Sequence, residues 1–216
     1  MKINTNKGFS LIELSIVLII IGLLVAGITG GASLIKSAEL RSTITEVRNY
    51  QTAVNAYYTA VGRLPGTDNS SQMWFVNSPY AINEMVSQNI LDVKSISDAS
   101  SYSDSAAVVS LSTTNSLRSK YKGAYYAFGY NTTMNQNVIM MFVPAATATD
   151  LAAPTTASLT AALTIKDAQF IDDKMDNGIN DSGKIYAFGS STGTCTYTDS
   201  TTDTARNCVL AIGIGL

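Results

Sequence analysis

Hydrophobic positions along the chain fall into three regimes. Residues 1–8, MKINTNKG, are polar and carry Lys2 and Lys7. From Phe9 the chain turns apolar on every side, and the 22 residues from Leu14 to Ile35 hold no charge. From Leu40 the pattern thins to a single stripe: Leu40, Ile44, Val47, Tyr50, Val54, Tyr57 and Val61. Steps of three and four residues place these side chains on one face of an α-helix. Glu39, Glu46, Arg48, Asn49 and Asn55 lie off the stripe and are expected at the surface. Gly62 and Pro65 stop the pattern, as Gly just past a helix and Pro soon after should. One helix is therefore predicted from Phe9 to Val61. Its front half needs lipid or other subunits around it, and its rear half needs a globular head.

The remaining chain reads differently. RLPGTDNSS at 63–71 is a turn-rich exit from the helix. A short helix is predicted over Ala81–Leu91, and residues 97–119 read as a Ser-rich surface loop holding at most one strand. AYYAFGYN at 124–131 and NVIMMFVP at 137–144 form a predicted hairpin. KIYAFGSS at 184–191 and CVLAIGIGL at 208–216 supply two further strands, and residues 147–163 read as an insertion. YAFG occurs at 126–129 and again at 186–189, too short a match to establish a repeat. The sum is an α+β plan, three or four antiparallel strands packed on the rear half of the long helix.

Composition narrows the chemistry. The chain is 46% hydrophobic but only 14% charged, with a net charge of −2 and no histidine. No basic face is visible, so nucleic acid is not indicated. The commonest general base and zinc ligand is missing. No phosphate-binding glycine loop or nucleophile elbow appears. A hydrolase using Asp172 and Asp176 is the one enzymatic arrangement left open, and no cofactor is expected. The acidic segment DAQFIDDKMDNGINDSG offers Asp172, Asp173, Asp176 and Asp181 as calcium candidates. It lacks the closing Glu of an EF-hand loop, and a short helix over Ala168–Met175 followed by a turn is the simpler reading. Cys195 and Cys208 are two free thiols if the chain is cytosolic. An N-terminal export segment favours a disulfide.

Glu13 is the anomaly. A charge in the middle of a membrane helix costs about 2.5–3.5 kcal/mol on insertion scales, and a lone carboxylate beside such a run needs a purpose. A signal peptide and a plain membrane anchor both leave it unexplained. The stretch Gly8-Phe9-Ser10-Leu11-Ile12-Glu13-Leu14, after a short basic leader, resembles the cleavage and methylation motif of the type IV prepilin family. That family includes type IV pilins and the pseudopilins of type II secretion systems. The close match covers roughly residues 1–65, and the head matches by plan.

The resemblance implies that a membrane peptidase cuts between Gly8 and Phe9 and methylates the new Phe9 amine. It implies that Glu13 pairs with the charged N-terminus of a neighbouring subunit, a pair within one subunit being the competing geometry. The chain would divide into a leader, 1–8, a core helix half, 9–35, an amphipathic half, 36–62, and a pilin-like head, 63–216. Many pilins place a proline where this chain has Gly30, so unwinding near Gly22–Gly31 stays open. The Cys195–Cys208 segment resembles the disulfide-bounded surface region of many pilins. Implied partners are the peptidase and N-methyltransferase, identical subunits and minor pilins in a helical filament, and an inner-membrane platform with its ATPase. The implied location is the bacterial inner membrane before assembly, then an extracellular or periplasmic filament. A pilus subunit is the leading expectation. The proline-glycine turn after the helix keeps a secretion pseudopilin as the alternative, with a non-polymerising anchored binding protein behind it.

Overall fold

The computed structural model describes residues 10–67, 78–93, 96, 111–131, 133–144, 159–189, 194–197 and 205–215. The leader and most of the insertion at 147–163 lie outside them, as does the only tryptophan, Trp74. The described elements are α1 (Leu11–Val61), α2 (Ser78–Ser87), β1 (Leu117–Arg118), β2 (Tyr125–Asn131), β3 (Gln136–Phe142), α3 (Ile165–Met175), β4 (Asp181–Ser182), β5 (Ile185–Gly189) and β6 (Cys208–Gly213). The chain divides into two units, Met1–Glu39 and Leu40–Leu216.

In the first unit the chain is helical from Leu11 onward, including Gly22–Gly31. At Gly22, Gly27, Gly30 and Gly31 no atom beyond the adjoining residues and the helix's own backbone stands within 4 Å of where a Cβ would be. These glycines leave backbone open on the helix surface, the feature that lets helices approach closely.

In the second unit, six strands form one antiparallel sheet in the order β1-β2-β3-β6-β5-β4. The last strand in sequence lies at its centre, with Met140 opposite Ala211 on one side and Ala187 opposite Leu210 on the other. One sheet face, carrying Tyr126, Phe128, Ile139, Met141, Ile185, Leu210 and Ile212, packs on the stripe from Leu40 to Tyr57. Tyr50 meets Tyr126 edge-on at 5.3 Å between ring centroids.

The other face carries Ala127, Val138, Met140, Phe142, Val209 and Ala211 and is closed by Leu111 and Leu159. The expected two-layer head therefore has cover on both faces. This is why β3 and β6 read as continuous apolar runs instead of alternating. Tyr126 and Phe128 of the first YAFG point toward α1, whereas in the second it is Ala187 that does so and Phe188 lies on the far side. The two tetrapeptides sit one register apart, as chance similarity between strands allows and duplication does not.

Helix ends follow local chemistry. α2 runs Ser78–Ser87 and not the expected Ala81–Leu91. Asn89, at φ 56°, lets Ile90 N–H bond back to Met85 O at 2.9 Å and Asn89 N–H to Val86 O at 3.0 Å. That Schellman geometry closes the helix. α3 begins at Ile165, three residues earlier than expected, because the Thr164 hydroxyl accepts the Asp167 N–H at 3.2 Å and caps it. The exit turn after α1 is clamped by Glu84, which pairs with Arg63 and accepts Gly66 N–H at 2.7 Å.

Candidate functional site

The N-terminal site is built on the first turn of α1. Ser10 precedes the helix, and its carbonyl accepts Leu14 N–H at 3.2 Å. Its own N–H donates to Glu13 Oε2 at 2.8 Å. Ser10-x-x-Glu13 is thus the reach-back half of a capping box, and the carboxylate sits against the positive end of the helix. The Ser-x-x-Glu spacing is a local signal legible in the sequence, and it gives Glu13 a role beside the pairing expected of it. Gly8 and Phe9 lie outside the described residues.

From Leu11 to Ile35 every Leu, Ile and Val side chain is between 50 and 86% open, on all sides of the helix. The helix is long and apolar enough to cross a membrane. Burying one such side chain is worth about 1.5–3 kcal/mol, so this surface forgoes a stabilisation on the order of 20 kcal/mol in water.

The acidic segment forms most of α3 and the turn that leads from it into β4. Asp172 is fully buried and accepts Gly178 N–H at 3.1 Å and the Tyr197 hydroxyl at 3.1 Å. Burial pushes its carboxyl above the ordinary range, against the pull of those two donors. Burial, then the Asp172 charge, likewise pushes the Tyr197 hydroxyl upward. Asp176 accepts the N–H groups of Lys184 and Ile185. Asp173 and Asp181 are exposed. Among the described residues no three His, Cys, Asp or Glu side chains come together in a way that could hold a metal ion. Gly183, at φ 85°, leaves 1.9 Å between the Asp176 Oδ2 and the place of a Cβ, so only glycine fits there without displacing that carboxylate.

Cys195 and Cys208 form a disulfide with 5.2 Å between Cα atoms, both residues buried. Cys208 is also held through its backbone by Leu163, with N–H to O at 3.0 Å. The ends of the enclosed segment are pinned separately, Tyr197 on Asp172 and Arg206 on Lys122 O at 2.8 Å. Residues 198–204 lie outside the described residues.

Two anchors escaped the sequence reading. Glu46, expected at the surface, is half-buried and accepts Ser119 Oγ at 3.2 Å, Lys120 N–H at 3.1 Å and Tyr126 OH at 3.1 Å. Its neighbour Tyr50 is pushed up to about 12, by burial first and then by the Glu46 charge. Asp167, 3% exposed, accepts the Tyr121 hydroxyl at 2.7 Å. Helical spacing could not find Glu46, because its partners are more than 70 residues away.

The site and fold define a class: a chain with an apolar N-terminal helix and an α+β head. The model of the prokaryotic N-terminal methylation motif matches residues 3–29, so the chain carries that motif. Among solved structures, the chain is similar to the major type IV pilin PilA1 from Clostridium difficile. That similarity is at 14% identity over 84% of this chain and 98% of that one, with a TM-score of 0.41. No curated protein matches.

Proposed function

We propose that the chain is a structural subunit of a type IV pilus-like filament. The observation that carries this reading is the methylation motif running directly into a helix whose apolar side chains are exposed all round. Such a surface is stable in lipid before assembly and in a bundle of like helices afterward. The precursor is cut between Gly8 and Phe9 by a prepilin peptidase, which methylates Phe9. The new cation draws Glu13 of a neighbour, and two charges too costly to leave alone in an apolar bundle neutralise each other. The bond from Ser10 N–H holds the carboxylate at the helix end until that partner arrives. The head coats the filament and is braced by the disulfide. Force comes from an inner-membrane platform and its ATPase, and the chain has no catalytic step of its own.

The intact mass of the protein from native membranes tests processing. A chain beginning at N-methyl-Phe9 and two hydrogens light supports the reading, and a chain beginning at Met1 sinks it. Glu13→Gln then separates the two duties of that residue. A glutamine still completes the capping box but cannot neutralise an amine, so the expected variant is processed, helical and unassembled. The turn at Leu64-Pro65-Gly66 favours a second reading, a secretion pseudopilin. Loss of long surface fibres on gene deletion points to the pilus, and loss of a secreted product to the pseudopilus.

A further inference from the structure

The outer face of the rear half of α1 carries a charge opposite to that of the chain. Between Arg41 and Val61 the charged side chains are Arg41, Glu46 and Arg48, and Glu46 turns onto Ser119 and Tyr126. Two arginines are left outside in a protein of net charge −2. Beside Arg48 lies a cavity of about 410 Å³, lined by Arg48, Gln51, Thr52, Asn55 and Lys184 and by residues 213–215. Among the described residues no carboxylate lines it. Neither Arg48 nor Lys184 has an ionic partner among the described residues. Gln51 is fixed on Gly213 O at 2.8 Å and Asn55 on Gln51 O at 2.9 Å, so the wall is ordered before anything enters.

The complementary surface lies on the same head. At the end of α3 and in the turn that follows it, Asp172 and Asp176 are spent on internal hydrogen bonds. Asp173 and Asp181 are exposed, and their side chains make no hydrogen bond or ion pair among the described residues. Ile179 between them is 52% exposed, the only exposed large hydrophobic of the head outside α1 among the described residues.

We propose that the cavity receives the Asp173–Asp181 turn of a second copy of this chain. The two carboxylates meet Arg48 and Lys184, and Ile179 enters beside Ile214. The cavity of one copy meets the turn of another, two different sets of residues, so the contact is heterologous. It rests on the filament reading and adds to it a head-to-head contact independent of Glu13.

A zero-length carbodiimide applied to full-length protein in its membranes tests this. It condenses an amine with a touching carboxylate into an amide. The expected products are interchain links from Lys184 to Asp173 or Asp181, read as dimers on a denaturing gel and as joined peptides by mass spectrometry. Arg48→Glu, at an exposed position, is expected to lower those links at least fivefold, and adding Asp173→Arg to restore the link to Asp181. Interchain links from Lys184 to other carboxylates, or links undiminished by Arg48→Glu, overturn the proposal. A parallel Val17→Cys variant reports helix bundling by disulfide dimerisation, since the chain has no free cysteine. Val17→Cys dimers without Lys184 links defeat the cavity proposal alone. Absence of both defeats the filament reading as well.

Discussion

Replacing Glu46 with alanine puts the head's architecture to a quantitative test. The carboxylate holds the corner between β1 and β2 against α1 through Ser119 Oγ, Lys120 N–H and Tyr126 OH. Hydrogen bonds to a charged group contribute about 1.5–3 kcal/mol each to stability when buried. Glu46 is half-buried and Lys120 is exposed, so the Lys120 bond competes with water and adds little. Tyr126 keeps a second partner in Ser119 Oγ at 3.0 Å, which limits the penalty of a stranded hydroxyl. The expected loss is about 3 kcal/mol. For a head of this size that corresponds to a fall in Tm of roughly 6–12 °C. The assay is the cooperative thermal unfolding of the full-length protein in detergent, followed by near-ultraviolet circular dichroism of the packed tyrosines. Glu46→Gln, which keeps an acceptor, should lose about half as much. In a double-mutant cycle with Tyr126→Phe the two changes should couple by about 1 kcal/mol. An ordinary surface residue at this position would give changes within about 0.5 kcal/mol. A Tm for Glu46→Ala within 2 °C of the parent, with no coupling to Tyr126, would refute the reasoning.

Two further outcomes follow from the C-terminal half. Changing Cys195 and Cys208 together to serine opens a short loop and should lower stability by about 3 kcal/mol in the chain-entropy picture, measured by the same unfolding scan; an unchanged Tm would show that the strand contacts of Cys208 suffice. Asp172→Asn should raise Tm at neutral pH by a few degrees, because it removes a buried charge while an amide still serves Gly178 and Tyr197. The sign of the pH effect follows from the raised Asp172 pKa. In the parent, this group's stabilising contribution is complete below the ordinary value of 3.8 and is lost as pH rises through the folded-state value. The advantage of Asp172→Asn should therefore vanish in acid, and a pH-independent gap between the two proteins would contradict the assignment.

The long helix was legible because two local signals agree on it. The apolar run and the stripe from Leu40 to Val61 both keep helical spacing, and Gly62 at φ 79° closes it. The four main strands were legible because they are apolar runs bounded by turn residues, and each was found within about three residues of its observed ends. β1 and β4 were not, since two residues each carry no periodic signal. Ser10-x-x-Glu13 and Thr164-x-x-Asp167 are both readable capping patterns, and the second sets the start of α3 ahead of the expected Ala168.

What the amino-acid sequence determined alone is what depends on neighbours within a turn or two: the helix and its apolar front half, the strands, the turn chemistry at Asn177-Gly178, and the motif at residues 3–29. Tertiary structure alone decided which polar residues are inside. Glu46, Asp167 and Asp172 look alike in the sequence as carboxylates near helix ends or surfaces. Each is held by a tyrosine hydroxyl between 25 and 80 residues away. The central place of β6 was also a tertiary choice, because pairing a last strand between β3 and β5 depends on cross-strand fit across the whole head. Local periodicity carries no information about partners that far along the chain, and only closure of the core brings them within hydrogen-bonding reach.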